Sequence, residues 1–272
     1  MNELPEPNPK AAPPSSDPIK WIEATRYLKN RQPFTFEGRP YLPQIYRDPA
    51  PEIYIVKGRQ TEISELLVNM MMYNAGRHPG TVGLYMSSTQ DKAYAFSNMR
   101  LEDWALKTSP AWRQLAPKKQ SHTRQIKLVN GSTMLFRSAF NQYEEARAYP
   151  VDFLYLDEIQ SQDVEYIDVA KEAMSHSRHG RIWGVGTGDY EETEWWKRWH
   201  MGVRHRWDGD AWVAEAGGDP RIHSYHIPQA IVPWITDEDI EAKFNAAQSR
   251  NQAIMEITGW WVEGVQKPIT SK

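Results

Sequence analysis

The feature that most constrains the fold of this chain is a pair of segments that each begin as a short apolar run. Residues 52–65 read Glu-Ile-Tyr-Ile-Val-Lys-Gly-Arg-Gln-Thr-Glu-Ile-Ser-Glu, a β-branched run followed by a tight polar loop and the start of an apolar-periodic helix. Residues 151–160 read Val-Asp-Phe-Leu-Tyr-Leu-Asp-Glu-Ile-Gln, an apolar run that ends in adjacent carboxylates. A phosphate-binding loop followed by an acidic pair at a later strand end is typical of nucleotide hydrolases. The two segments together therefore predict an ATP-driven enzyme.

The predicted phosphate loop departs from the standard pattern G-x-x-x-x-G-K-[ST]. Glu62 stands in place of the second glycine and Ile63 in place of the lysine, whereas Ser64 keeps the hydroxyl that holds Mg²⁺. The nearby cations are Lys57, at the mouth of the loop, and Arg59. Because a lysine stem is long and flexible, Lys57 could reach the β- and γ-phosphates from the strand end. The alternative is an ordinary strand-turn-helix with exposed charges.

The acidic pair follows a run of the kind that forms a central strand of a parallel sheet. Residues 153–156 are Phe-Leu-Tyr-Leu, and Asp157 and Glu158 come next. Ligands bind at the carboxyl ends of strands in open α/β sheets. We expect Asp157 to hold Mg²⁺ through water and Glu158 to orient and deprotonate an attacking water. The alternative is a solvated strand terminus.

Four segments together resemble the ATPase domain of viral large terminase subunits, the motors that pump DNA into bacteriophage and herpesvirus-type capsids. They are residues 57–65, 84–90, 156–160 and 184–188, and the resemblance extends from about residue 34 to residue 270. Some terminases carry a deviant loop with the lysine at its beginning, which supports Lys57 as the working cation. Glu62 departs from the glycine of many members, and a carboxylate beside the γ-phosphate is unfavourable unless it points outward.

The resemblance implies roles for further residues. ATP phosphates would contact Lys57, Gly58, Arg59, Gln60, Thr61, Glu62, Ile63 and Ser64, with Mg²⁺ held by Ser64 and Asp157. Gln44 would read the adenine edge, Arg147 would act on a neighbouring subunit's nucleotide, and Gly186, Thr187 and Gly188 would couple hydrolysis to movement. The residues alone also allow a surface turn at Gln44, a solvated arginine at position 147 and a Gly-rich turn at 186–188.

The remaining pattern predicts an α/β fold, a P-loop NTPase of the ASCE type. Strand and helix signals alternate, which favours a mostly parallel central sheet flanked by helices on both faces. Asn130-Gly131 predicts one inserted β-hairpin with a type I′ turn. We expect residues 1–18 to be a disordered Pro-rich lead-in and residues 19–262 to be the ATPase domain. Residues 263–272 would begin a linker toward a nuclease domain that this chain lacks, so no nuclease activity is expected.

Composition limits the partners. The net charge is −3 and the pI is near 6.3, which argues against a surface coated in basic residues for DNA but allows local contacts on a few loops. No cysteine is present, which excludes disulfides and thiolate metal sites. No apolar run approaches the roughly 20 residues that span a membrane.

The resemblance thus predicts an ATP- and Mg²⁺-dependent motor that translocates double-stranded DNA into a procapsid. Its implied partners are a portal ring, a small terminase subunit and further copies of itself in a homo-oligomeric ring, expected to be a pentamer, with a monomer in isolation left open. It would work in the host cytoplasm, transiently docked on the procapsid. One alternative is a degenerate, non-hydrolysing P-loop domain with a structural or docking role. The other is a helicase-like DNA-dependent ATPase.

Overall fold

A single mixed sheet places residues 52–65 and residues 151–160 so that both segments leave the sheet at the carboxyl ends of its parallel strands. The computed structural model describes residues 15–116, 121–122, 124–139, 150–162 and 164–264. Its strands are β1 (Glu52–Lys57), β2 (Val82–Ser87), β3 (Ser121–His122), β4 (Gln125–Lys127), β5 (Thr133–Ser138), β6 (Phe153–Asp157), β7 (Arg181–Gly186), β8 (Gly202–Trp207), β9 (Trp212–Ala214) and β10 (Asp219–Ile227).

The helices lie between these strands in the chain. They are α1 (Pro18–Thr25), α2 (Pro43–Arg47), α3 (Ile63–Arg77), α4 (Gln90–Ala95) with a π-helical continuation (Phe96–Leu106), α5 (Pro110–Leu115), α6 (Val164–Glu172), α7 (Glu194–Met201), α8 (Asp237–Ala246) and α9 (Arg250–Ala253) with a π-helical continuation (Ile254–Thr258). Short 3₁₀ turns occupy Ile159–Ser161 and Gln229–Ile231. No helix in the described ranges is long and apolar enough to cross a membrane.

The strand order is β3-β4-β5-β2-β6-β7-β1-β10-β8-β9. Neighbours from β5 to β8 run parallel, and the outer pairs β3–β4, β4–β5 and β8–β9 run antiparallel. One strand, β7, separates β1 from β6. Because β1, β7 and β6 are parallel, the phosphate-loop segment, the 186–188 loop and the acidic pair all follow strands at the same sheet edge.

Two cores cover the two faces of the sheet. Along β1, Ile53 and Ile55 pack into one core, while Tyr54 and Val56 pack into the other. This is the period-2 alternation of a strand buried on both sides. Helix α3 contributes to the first core and α7 to the second through Trp195 and Trp199. The predicted α/β class with helices on both faces is confirmed.

Local details differ from the sequence expectations for identifiable reasons. The inserted hairpin exists as β4–β5, but its turn is not type I′: of the two central residues only Gly131 has positive φ, and residues 128–132 form a longer loop. Strands β8 and β9 were not predicted as a pair, because polar residues alternate irregularly along Gly202–Trp207. Helix α1 ends at Thr25, and the next residue, Arg26, has extended backbone. The buried guanidinium of Arg26 donates hydrogen bonds to Asn69 and Glu65.

Burial lowers the pKa of four histidines, namely His78, His200, His205 and His226, from the ordinary value of 6.5. The unfolded chain therefore binds more protons than the folded chain as pH falls through 6.5, so stability falls with it. We expect the urea midpoint to be constant above about pH 7.5 and lower at pH 6, measured by denaturation at several pH values. Burial raises the pKa of Asp157 and Asp189 above the ordinary value of 3.8. The folded chain therefore binds more protons at these two groups, so they raise the stability as pH falls toward that value. A midpoint that rises from pH 7.5 to 6 would contradict the prediction.

Candidate functional site

The carboxyl ends of β1 and β6 bring Lys57 together with Asp157 and Glu158. Burial lowers the pKa of the half-buried Lys57, and the charges of the two carboxylates oppose this by raising it. Burial likewise raises the pKa of Asp157, while the hydrogen bond from Tyr85 and the charge of Lys57 oppose that change. Lys57 ends β1 and Asp157 ends β6, so β7 alone separates the lysine from the acidic pair at the carboxyl ends of these strands.

The Asp157 carboxylate is fixed from two sides. Tyr85 donates its hydroxyl to Oδ2 at 2.8 Å, and the Glu158 backbone N–H donates to Oδ1 at 3.1 Å. A carboxylate has about four acceptor positions, so both oxygens can still accept from water or bind a cation. No cluster of three or more His, Cys, Asp or Glu side chains suited to a metal occurs among the described residues. The single carboxylate of Asp157, with Ser64 close in sequence to the phosphate loop, still fits Mg²⁺, because this ion is usually held by one or two protein groups plus water and substrate phosphates.

Glu158 adopts a left-handed backbone, with φ of 55°, immediately after the strand. Lys92, on α4, contacts its Oε2 at 2.5 Å and also donates to Ser88 Oγ at 3.2 Å. Lys92 lies in no recognisable motif of the sequence, although it follows the 84–90 segment and β2 is hydrogen-bonded to β6. The two side chains are 51% and 44% exposed. An ion pair with this much solvent exposure contributes about 0–1 kcal/mol to stability. Glu158 can therefore exchange Lys92 for a water molecule at little cost.

The loop between β1 and α3 is built from two left-handed residues, Gln60 with φ of 62° and Glu62 with φ of 58°. Buried Thr61 donates its hydroxyl to the Gly58 carbonyl at 3.1 Å, and Tyr41 donates to the Thr61 carbonyl at 3.2 Å. Ile63 is buried and Ser64 lies in the first turn of α3. The start of a helix presents backbone N–H groups and a positive dipole end, which suits an anion.

The Glu62 carboxylate is paired with Arg39. The guanidinium contacts Glu62 through Nε at 2.5 Å and through Nη2 at 3.0 Å. This pair raises the pKa of Arg39. The bidentate contact neutralises the charge that would otherwise oppose a nucleotide phosphate. The sequence contained no signal for it, because Arg39 lies in an irregular segment well before the loop.

Replacing Glu62 by glycine should strengthen nucleotide binding. Glycine adopts positive φ without the roughly 1–2 kcal/mol penalty of other residues, and the change also removes a negative charge from the loop. We expect a several-fold lower Kd for ADP and an unfolding midpoint no lower than that of the parent, measured by calorimetry and urea denaturation. Glu62→Gln separates the two causes, since it removes only the charge. Weaker ADP binding by Glu62→Gly would contradict the prediction.

Two predicted nucleotide-contacting side chains have protein partners in the structure. Arg59 Nη2 lies 2.8 Å from Glu256 Oε1, and the Arg59 side chain is 63% exposed. Gln44 donates to the Trp212 carbonyl at 2.9 Å and accepts from the Trp212 N–H at 2.8 Å. The amide of Gln44 therefore ties α2 to β9. Arg147, predicted to act on a neighbour's nucleotide, lies outside the described residues.

Residues 186–188 sit at the end of β7, beside the acidic pair. Gln160 Oε1 accepts from the Thr187 N–H at 3.3 Å, and the Trp195 indole donates to the Thr187 carbonyl at 2.9 Å. The loop is therefore held by the turn that follows Glu158 and by α7. A Cβ on Gly186 would lie 2.5 Å from the same Gln160 oxygen and 2.9 Å from the Ile159 side chain, so a larger residue would require both side chains to move.

Residues 256–262, which we call the C-terminal strap, contact both loops. The Arg59 N–H donates to the Glu256 carbonyl at 2.7 Å, and the Val262 N–H donates to the Asp189 carbonyl at 3.0 Å. Gly259, with φ of 69°, lies so close to Lys57 and Gly58 that an added Cβ would be 2.4 Å from the Lys57 carbonyl carbon. The strap could not be predicted from the sequence, because no local sequence pattern indicates that one backbone segment packs against another.

The sheet order, the loop and the acidic pair define the class of protein: a P-loop NTPase domain. The family described as "Phage terminase large subunit gpA, ATPase domain" matches residues 23–209. The chain belongs to this family, as the resemblance predicted. No curated protein sequence matches the chain.

Solved structures of phage terminases share the fold. The large terminase ATPase domain of Thermus phage P74-26 matches with a TM-score of 0.65 and 18% identity over 84% of this chain and 97% of that one. The HK97 bacteriophage large terminase matches with a TM-score of 0.67 and 13% identity over 89% of this chain and 54% of that one. The large terminase of thermophilic bacteriophage D6E, solved with ADP, matches with a TM-score of 0.56 and 9% identity over 78% and 48%. The chain thus spans about half the length of the HK97 and D6E proteins.

Proposed function

We propose that this domain hydrolyses ATP and couples hydrolysis to the translocation of double-stranded DNA into a procapsid. The observation that carries the proposal is that Lys57 and Asp157 end parallel strands separated only by β7, with Glu158 next to Asp157. This supplies the three charged groups that phosphoryl transfer to water needs beside a phosphate loop. Membership of the terminase family supports the role in DNA packaging.

Each group has a defined task in the proposed reaction. Lys57 and the backbone N–H groups at the start of α3 bind the β- and γ-phosphates, and the helix dipole of α3 favours their charge. Ser64 and Asp157 hold Mg²⁺, which when bound neutralises phosphate charge. Glu158, released from Lys92, accepts a proton from the attacking water. Thr187, one strand away, links the state of the site to movement.

The larger assembly extends the same proposal. The domain works as a ring of copies, taken as a pentamer, docked on a portal ring in the host cytoplasm together with a small terminase subunit. Arg147 acts on the neighbouring copy's nucleotide. Contact with DNA is confined to a few cations, since the net charge of the chain is −3. Arg204, an exposed arginine of β8, already pairs with Glu215 at 3.2 Å.

The test is ATP turnover by the purified chain at high concentration, with and without linear duplex DNA, beside Lys57→Ala. We expect turnover in the parent and a loss of roughly 10²-fold in the variant, the size seen when a charge-stabilising group is removed. Lys20→Ala, at an exposed position of α1, is the control and should keep full activity. A parent that neither binds nor hydrolyses ATP with its packaging partners added would leave the docking-subunit alternative. Turnover that survives Lys57→Ala would exclude Lys57 as the working cation.

A further inference from the structure

A cavity of about 360 Å³ opens beside the phosphate loop. Its lining includes Arg59 and Gln60 of the loop, Gln229, and residues of α8, α9 and the π-helical turn after α9. Its volume is within the range of small-molecule sites, roughly 300–1,000 Å³. The cavity is therefore large enough for a ligand that also reaches the loop.

The lining combines amide and charged groups with a small apolar surface. Lys243, on α8, donates to Gln60 Oε1 and to Gln229 Oε1, both at 3.0 Å. An ammonium has three donors, so one remains for a ligand. Glu256 accepts from Arg59 at 2.8 Å and from Gln252 at 3.3 Å. The apolar surface comes from Ala246, Ala247, Ala253 and Ile257.

We propose that this cavity binds the nucleoside half of ATP, with Gln252 reading the edge of the adenine base. The proposal rests on the proposed function, because it takes the phosphates to lie on the loop at residues 58–63. A ligand whose phosphates occupy the loop has its sugar and base within reach of the wall made by Arg59 and Gln60. A glutamine amide matches the paired donor and acceptor of adenine. The alanine surface contacts the base face, and the third Lys243 donor serves the α-phosphate or the ribose.

The contacts of Gln44 favour the same assignment. Both polar groups of its amide are used by the Trp212 backbone, at 2.9 and 2.8 Å. Reading a base with Gln44 would break two hydrogen bonds that hold β9 to α2. Gln252, by contrast, is half-buried at the cavity and makes one long hydrogen bond, to Glu256. The cost of redirecting it toward a ligand is therefore smaller.

The test compares the Kd of ADP, GDP and inorganic pyrophosphate for the parent, Gln252→Ala and Asn251→Ala. Asn251 is the matched control, since it is the adjacent amide, is exposed and does not line the cavity. We expect Gln252→Ala to weaken ADP binding about tenfold, the discrimination typical of one bidentate amide–base pair, and to reduce the preference for ADP over GDP. Pyrophosphate binding should not change, and Asn251→Ala should behave as the parent.

A second variant fills the cavity without touching its polar groups. Ala246→Trp, at an exposed position of α8, should block ADP but leave pyrophosphate binding intact. ADP binding and base preference unchanged in both Gln252→Ala and Ala246→Trp would overturn the nucleoside assignment while leaving the ATPase proposal standing. A parent that binds neither ADP nor pyrophosphate would overturn both. An equal loss of ADP and pyrophosphate binding in Gln252→Ala would also overturn the nucleoside assignment, since the substitution would then act on the phosphate loop.

Discussion

Replacing Glu158 by glutamine will abolish ATP turnover and leave ATP binding intact. Glutamine keeps the shape of the side chain but cannot accept the proton of an attacking water, and general-base catalysis contributes typically 10²–10⁴-fold to the rate. Binding should survive because the phosphate loop, Lys57 and Asp157 are untouched. The strand-end geometry is also retained, since the left-handed backbone of Glu158, with φ of 55°, does not involve its carboxylate.

The measurement is steady-state ATP turnover together with the Kd of a slowly hydrolysed ATP analogue. Glu194→Gln is the control, because Glu194 is likewise an exposed glutamate that pairs with a lysine, Lys197, at 2.8 Å. It should have parental turnover and affinity. If Glu158→Gln lost affinity in step with turnover, Glu158 would be organising the site through Lys92 and not activating water.

The architecture could be predicted because its signals are local. Apolar runs such as 53–56 and 153–156 are long enough to name a buried strand, and the residue after each run falls at the sheet edge where ligands bind. The sequence therefore predicts Lys57, Asp157 and Glu158 at the carboxyl ends of strands in one sheet. The start of helix α3 can be predicted in the same way, since its apolar periodicity lies within the segment itself.

The remaining features of the site depend on contacts between distant parts of the chain. Arg39 reaches Glu62 from an irregular segment, Lys92 reaches Glu158 from another helix, and Gln44 is bound by Trp212. Each partner is an ordinary polar residue in its own neighbourhood. Periodicity and motif spacing carry no information on such pairs, which exist only after the strands have been ordered.

Replacing Gly188 by alanine should both destabilise the domain and weaken nucleotide binding. A Cβ at this position would lie 1.9 Å from the Trp260 carbonyl oxygen and 2.5 Å from its carbon. The neighbour is backbone, so relief requires the C-terminal strap to move. Overpacking costs typically ~1–3 kcal/mol, and we expect the upper part of that range. Gly180→Ala is the control, because its nearest neighbour would be 4.0 Å from the new Cβ.

The strap explains why this local change should reach the nucleotide. Gly259, next to Trp260 in the strap, packs against the backbone of Lys57 and Gly58, and the Glu256 carbonyl accepts from the Arg59 N–H. A displaced strap therefore loosens the loop that binds phosphate. Urea denaturation would give the stability change, hydrogen exchange at residues 254–262 would report the displacement, and calorimetry would give the ADP affinity. Lower stability with unchanged ADP affinity would show that the 186–188 loop and the phosphate loop respond independently, and the strap could then not carry coupling between them.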